Sequence, residues 1–109
     1  MPSYSKNDII LVRYPFSDLS GAKIRPAVVI SAKHVSQDLF VTPLTSKTAS
    51  LLEGEFILSE RSMVGLNVVT AIKRGVYTVH DRLIVKQLGK LDDDDAAQLA
   101  KSLQGWLDL

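Results

Sequence analysis

Short apolar runs alternate with polar breaks along most of the chain, and these runs are rich in β-branched residues. Residues 8–13 form the first run, and residues 27–30 form the second after a polar stretch that contains Pro, Ser and Gly. Further runs follow at residues 39–42, 55–58, 67–72 and 76–79. They predict buried strands, and many short strands at this spacing indicate a barrel or a sandwich. Residues 83–88 fit a strand or a helical turn, of which we favour the strand.

The end of the chain shows the spacing of one helix face instead. Apolar residues recur there every three to four positions, namely Ala96, Leu99, Ala100, Leu103, Trp106 and Leu107. Asp92 is a candidate cap for this helix, and residues 93–95 would lie in its first turn, where the helix dipole favours negative charge. Calcium or magnesium binding is the alternative for this aspartate run, but the side chains would fan around a helix instead of converging.

Composition and charge narrow the class of protein. A chain of 109 residues with 46% hydrophobic and 23% charged residues predicts a single packed domain over residues 1–109. The absence of cysteine excludes disulfides and thiolate chemistry. The N-terminus resembles no signal peptide, and no apolar stretch approaches the roughly 20 residues of a membrane span, so we expect a soluble cytoplasmic protein.

The net charge of +1 conceals an uneven distribution. Residues 1–89 carry eleven Lys and Arg against seven Asp and Glu, a net charge of +4, whereas residues 90–109 carry two against five, a net charge of −3. If the terminal helix folds away from the rest, a modest basic face becomes available for an anionic partner.

The familiar enzyme motifs are absent from the sequence. It contains no phosphate-binding Gly loop, dinucleotide fingerprint or helical His pair for zinc, so no motif indicates a cofactor or a metal. His34 and His80 are the two histidines, and neither has the neighbours of a catalytic triad. Structural roles are therefore expected for both.

The ordered stretch of residues 8–31, together with Thr-Pro-Leu-Thr-Ser at residues 42–46, resembles the MazF/PemK family of toxins. The shared pattern is a first strand, a Pro-Phe turn, a polar loop, an Arg-Pro-Ala-Val-Val strand and a third strand that ends in Pro followed by Thr-Ser. The resemblance continues more weakly through residues 77–80, residues 88–91 and the terminal helix, and so covers nearly the whole chain.

This resemblance implies a mainly β fold, a small SH3-like or CcdB-like barrel of short antiparallel strands with a C-terminal α-helix. It also implies the toxin of a type II toxin–antitoxin system, a homodimer inhibited by a MazE/PemI-like antitoxin. The implied activity is metal-independent cleavage of single-stranded RNA, in which the ribose 2′-hydroxyl attacks its own phosphate and leaves a 2′,3′-cyclic phosphate and a 5′-hydroxyl.

Two residues match the catalytic positions of the family. Arg25 matches the catalytic arginine, and its planar fork can donate two hydrogen bonds to phosphate while staying charged. With an intrinsic pKa above about 12, an arginine is a poor base, so we assign it charge stabilisation before proton transfer. Thr45 matches the family hydroxyl and can hold a phosphate oxygen or the leaving group. A strand-entrance arginine fixed by Pro26 and a turn-forming Thr-Ser pair are the structural alternatives.

Further residues are candidates for RNA binding. They are Ser46, Lys23, Asp18, Lys73 and Arg74. Asp18 and Lys23 belong to the loop of residues 17–23, which in the family borders the RNA groove, while Lys73 and Arg74 can supply positive charge or form a plain basic turn. Thr70 and Ile72 stand where several family members carry an Arg and an Asp, so those auxiliary roles do not transfer.

Two other functions remain open from the sequence. CcdB-type toxins share the fold but bind DNA gyrase and catalyse nothing, and Trp106 on the terminal helix is a candidate contact for such binding. The same Trp106 also fits a core or dimer contact. A catalytically idle RNA-binding barrel is the third possibility, and an assay of RNA cleavage in a chelator separates it from the nuclease.

Overall fold

A computed structural model describes residues 3–14, 23–32 and 34–109 of the chain. The elements are β1 (Asp8–Tyr14), β2 (Lys23–Val29), β3 (Asp38–Thr45), β4 (Ala71–Ile72), β5 (Tyr77–His80), a 3-10 turn (Asp81–Leu83), β6 (Ile84–Lys90) and α1 (Asp93–Leu107). The predicted mainly β fold of short antiparallel strands with a C-terminal helix is confirmed.

The sheet curls, because two strands that follow each other in the chain pair with strands on opposite sides of the sheet. Its order is β4-β3-β2-β1-β6, and β5 pairs with β3. β5 and β6 are joined by one 3-10 turn, yet β5 pairs with β3 and β6 pairs with β1. This connection brings the two sides of the sheet together into a small barrel-like shape, as predicted.

Alternate residues of the strands supply two hydrophobic cores, as the period of two in a strand requires. The first core lies inside the curled sheet and consists of Ile10, Val12, Ala27, Val29, Leu39, Val41, Val79 and Ile84. The second core lies on the other face, against α1, and consists of Ile9, Val28, Leu44, Phe56, Leu58, Ile72, Leu91 and Leu99. Both faces of the central strands are therefore covered.

Two predicted strands are shorter than their sequence pattern indicated. Residues 55–58 form an isolated bridge, in which Ile57 pairs with Ala71, and residues 67–72 are a strand over Ala71–Ile72 alone. The apolar run at residues 55–58 nevertheless marks buried positions, since Phe56 and Leu58 lie in the second core. The prediction of a strand over residues 83–88 is confirmed by β6.

The terminal helix begins as the sequence predicts. Asp92 is the N-cap, and its side chain accepts a hydrogen bond from the Asp95 amide at 2.7 Å. Leu99 faces the second core, and Ala96, Leu103 and Trp106 pack around it. Asp95 lies in the first turn, as predicted, but its side chain is buried, which the sequence did not indicate. None of the helices in the described part of the chain is long and apolar enough to cross a membrane.

A polar atom inside the second core gives a stability prediction. Thr42 is fully buried opposite Val28, and among the described residues its hydroxyl oxygen finds no hydrogen-bond partner. Thr42→Val keeps the branched shape and removes this hydroxyl. We expect the free energy of unfolding to rise by about 1 kcal/mol, measured by urea denaturation, because burying an unpaired polar group is costly.

The control for this substitution is Thr70→Val. Thr70 is equally buried, but its hydroxyl donates to the Val68 carbonyl at 2.9 Å. Deleting a satisfied hydroxyl is expected to lower the free energy of unfolding by about 1 kcal/mol. The interpretation of Thr42 would be wrong if both substitutions changed stability in the same direction.

Candidate functional site

An open cleft of about 580 Å³ lies where β2 and β3 diverge. Ala27–Val29 pair with β3, whereas the recorded pairs of residues 23–26 are with β1, so the two strands separate beside Pro26 and Pro43. The residues that line the cleft are Ile24, Arg25, Pro26, Pro43, Leu44, Thr45, Ser46, Lys47, Leu66, Asn67, Val68, Thr70 and Lys73. Four of the residues selected from the sequence, Arg25, Thr45, Ser46 and Lys73, thus meet in one place.

Arg25 lies in the extended backbone just before Pro26, where a proline disfavours helical geometry. Its side chain is exposed, and its Nη1 atom donates to the neighbouring Ile24 carbonyl at 3.3 Å. That distance is long for a hydrogen bond. The described residues therefore leave most of the guanidinium donors available to an anion in the cleft.

Thr45 ends β3, and its side chain has a defined orientation. The Thr45 Oγ1 atom accepts a hydrogen bond from the Lys47 amide at 3.1 Å, which fixes the turn that follows the strand. Because a hydroxyl can accept and donate at once, the Thr45 proton remains available for a ligand oxygen. The turn-forming role and a binding role are therefore compatible.

The described charged side chains that line the cleft are all positive. Arg25, Lys47 and Lys73 line it, and its described lining contains no carboxylate. Sequence reasoning missed Lys47, although its position directly after Ser46 was a usable signal. Ile24 and Val68 add exposed apolar surface, with 41% and 58% of their area accessible. Cations beside apolar surface suit a ligand that has both phosphates and flat bases.

One wall of the cleft, outside β2 and β3, comes from Leu66, Asn67, Val68 and Thr70. Asn67 is exposed there and offers an amide that can both donate and accept hydrogen bonds. Thr70 and Ile72, which replace the charged pair of some family members, are both buried. Neither supplies charge to the cleft.

The other candidate residues lie elsewhere or outside the description. Lys23 is exposed at the start of β2, beyond the residues that line the cleft. Asp18 lies outside the described residues. Arg74 lines a separate cleft beside α1, and its amide donates to a Glu55 carboxylate oxygen at 2.8 Å. RNA contacts by these three residues stay predictions.

The negative charge of Glu55 acts on Lys73 in the candidate cleft and on Arg74 in the cleft beside α1. The Arg74 amide, and next the Leu52 amide, hold the pKa of the Glu55 carboxyl below its ordinary value, and the charges of Lys73 and Arg74 add to this effect. A carboxylate near Lys73 reduces the positive potential at that end of the cleft. Arg25 and Lys47 therefore contribute more than Lys73 to the positive potential that attracts an anion to the cleft.

Both histidines lie outside the cleft. His34 Nδ1 lies 2.8 Å from the Ser36 hydroxyl, and His80 Nδ1 accepts from the Arg82 amide at 3.1 Å as the cap of the 3-10 turn. Both contacts are local structure, as expected from the sequence. Within the described ranges, no cluster of three His, Asp or Glu side chains could hold a metal ion.

Trp106 contributes to the packing of the terminal helix. Its indole nitrogen donates to the Glu53 carbonyl at 3.0 Å, and the ring lies against Gly54. A Cβ atom on Gly54 would approach the indole nitrogen to 2.5 Å, and Gly54 also has a φ of +86°, so this position requires glycine. The contacts of Trp106 agree with a core role more than with a free binding side chain.

A curled antiparallel sheet with a terminal helix, and a cleft whose described charged residues are all cationic, defines a class of small β-rich proteins that can bind polyanions. The family of PemK-like, MazF-like toxins of type II toxin–antitoxin systems matches residues 5–107, so the chain belongs to this family. No curated protein matches the chain by sequence.

Several solved structures share the fold. MazF from Deinococcus radiodurans superposes with a TM-score of 0.80 at 18% identity, covering 100% of both chains. A MazE–MazF complex from the same organism gives a TM-score of 0.77 at 19% identity, covering 100% of this chain and 99% of that chain. An endoribonuclease in complex with its cognate antitoxin, from a mycobacterial species, gives 0.76 at 15% identity, covering 98% and 97%. At such identities the likeness establishes the fold.

Proposed function

We propose that this toxin is a sequence-selective endoribonuclease that cleaves single-stranded RNA, including mRNA, in the cytoplasm without a metal ion. The observation that carries the proposal is the meeting of Arg25, Thr45, Ser46, Lys47 and Lys73 in one open cleft without a described carboxylate. Family membership and the endoribonucleases among the structural neighbours support the same activity.

The proposed reaction uses the nucleophile of the RNA itself. The 2′-hydroxyl loses its proton and attacks the adjacent phosphorus, the bond to the 5′-oxygen breaks, and that oxygen takes up a proton. Charge accumulates on the phosphate oxygens in the transition state, so preorganised donors accelerate the reaction. Arg25 offers two parallel donors to these oxygens, and the Thr45 hydroxyl offers a third.

The remaining cleft residues are assigned to binding. Lys47 and Lys73 attract neighbouring phosphates, and Ser46 can donate to one of them. Asn67 and the apolar surfaces of Ile24 and Val68 face the space where bases would lie. Single-stranded RNA exposes base edges and faces to such groups, whereas a duplex hides them.

Cleavage is expected to continue in EDTA and to leave a 2′,3′-cyclic phosphate and a 5′-hydroxyl, because the proposed chemistry uses only the 2′-hydroxyl and protein donors. The measurement is end mapping on a long RNA of mixed sequence. In a DNA strand that contains a single ribonucleotide, cutting should occur at that ribonucleotide alone. Complete loss of activity in the chelator would identify a metal-dependent nuclease instead.

We further propose that the toxin is a homodimer and that a MazE/PemI-like antitoxin inhibits it. Complexes with an antitoxin among its structural neighbours support the second part of this proposal. Sedimentation equilibrium at micromolar concentration is expected to give twice the chain mass of 12.0 kDa. A monomer under these conditions would contradict the dimer. An acidic antitoxin segment would compete with RNA for the cationic cleft.

A further inference from the structure

The wall of the cleft is built from a segment with little regular structure of its own. Residues 59–70 contain neither a strand nor an α-helix, yet Leu66, Asn67, Val68 and Thr70 all line the cleft. Irregular segments adopt one conformation only where contacts outside them determine it. The contacts that hold residues 59–70 therefore decide the shape of this wall.

One of these contacts is with a buried carboxylate on the first turn of α1. Asp95 is 5% exposed, and its Oδ2 atom accepts from the Ser59 amide at 2.8 Å and from the Ser62 hydroxyl at 2.6 Å. Ser62 is itself 1% exposed. Hydrogen bonds to an ionised acceptor are stronger than neutral ones, and a buried donor that loses its partner pays the full cost of desolvation.

Asp92 completes the attachment. Its side chain accepts from the Ser59 hydroxyl, and its amide donates to the Ser62 hydroxyl at 2.9 Å. The bond from Ser59 is the largest cause of the lowered pKa of the Asp92 carboxyl, which keeps this acceptor ionised. Two serines and two aspartates thus join the start of the wall to the start of the helix.

After residues 59–62, contacts between residues close in sequence connect this attachment to the residues that line the cleft. The Leu66 amide donates to the Met63 carbonyl at 2.9 Å, and the Thr70 amide lies 3.4 Å from the Met63 sulfur. Met63 follows Ser62 directly, so its position depends on the attachment. A displacement of residues 59–62 would therefore reach Leu66, Asn67 and Val68.

We propose that Asp95, with Ser62, is a positioning residue for RNA recognition, which acts by fixing the wall that carries Leu66, Asn67 and Val68. This inference rests on the proposed RNA cleavage. Asp95 does not line the cleft and bonds to Ser59 and Ser62, whereas Arg25 and Thr45 lie on β2 and β3. Its loss should therefore weaken RNA binding and relax sequence preference more than it slows the chemical step.

The test compares three variants of the full chain. Asp95→Ala removes both bonds, Asp95→Asn retains an oxygen that can accept both because they converge on one atom, and Asp94→Ala removes an exposed first-turn carboxylate with the same change in charge. KM, kcat and the distribution of cut sites are measured on RNA of mixed sequence, at a temperature where circular dichroism shows each variant folded.

We expect Asp95→Ala to raise KM by about tenfold, which corresponds to the loss of one good hydrogen bond between the displaced wall and the RNA. The kcat should stay within about twofold of the wild-type value, and cuts should appear at additional sequences. Asp95→Asn should restore most of the KM and the cut pattern, and Asp94→Ala should match the wild type. If Asp95→Ala does not fold, Ser62→Ala, which leaves the bond from the Ser59 amide to Asp95, is expected to change KM and the cut pattern in the same direction.

The outcomes separate this inference from the proposed function. Wild-type cleavage with unchanged KM and cut sites in Asp95→Ala, or in Ser62→Ala where Asp95→Ala does not fold, would overturn the positioning role and leave the nuclease intact. Equal effects in Asp94→Ala and Asp95→Ala would assign the effect to charge and overturn it as well. A wild-type protein that cuts no RNA would overturn both.

Discussion

Arg25→Ala is expected to lower the rate of RNA cleavage by about two to three powers of ten, the usual cost of removing one electrostatic donor from a transition state. The Arg25 side chain is exposed, and its recorded bond is a long contact with the Ile24 carbonyl. It contributes little to the fold, so thermal unfolding should be nearly unchanged. Single-turnover cleavage of a defined RNA, with the protein in excess, measures the effect on the chemical step.

Two further variants, Arg25→Lys and Thr45→Val, test which groups of the proposed site account for the loss of activity. Arg25→Lys keeps the charge but is expected to stay well below wild-type activity, because a point charge cannot reproduce the bidentate fork. Thr45→Val should slow cleavage less than Arg25→Ala, since it deletes one neutral donor and retains the branched shape. Arg25→Ala that cut RNA at the wild-type rate and at the same sequences would place the active site elsewhere, and a non-catalytic toxin would become the better interpretation.

Gly65→Ala is expected to lower the free energy of unfolding by about 1–3 kcal/mol, the usual cost of overpacking. A Cβ atom at Gly65 would lie 1.8 Å from the Leu88 carbonyl oxygen. Because Ile9 pairs with Gly89 and Ile10 pairs with Gln87, Leu88 is the extra residue of a β-bulge in β6. The obstacle is thus backbone that is fixed on both sides by pairing with β1, so the wall must move instead.

Urea denaturation measures the change in stability, and KM for RNA reports the displaced wall. Gly105→Ala is the matched control, because a Cβ atom at Gly105 would meet no atom within 4 Å. Alanine favours a helix over glycine, so this control should stabilise the protein by up to about 1 kcal/mol. A Gly65→Ala protein as stable as the wild type would show that Gly65 does not pack closely on the Leu88 backbone of β6.

The sequence by itself determined the features that depend on neighbouring residues. Short apolar runs bounded by polar residues predicted β1, β2, β3 and β5, because a strand that is buried on both faces carries consecutive apolar residues. Asp92 was identified as the helix cap for a similar reason, since a cap bonds an amide three residues along the chain. The order of Arg25 and Thr45 within a family motif likewise required no knowledge of distant contacts.

The tertiary structure decided the features that depend on residues far apart in the chain. Asp95 is buried and bonds to Ser59 and Ser62, which lie 36 and 33 positions away, so the sequence of the first helical turn alone could not indicate its burial. Lys73 and Arg74 are adjacent in sequence, but Lys73 lines the candidate site whereas Arg74 lines the cleft beside α1. Adjacent side chains can point in different directions, and only the packing around them decides which of them faces the candidate cleft.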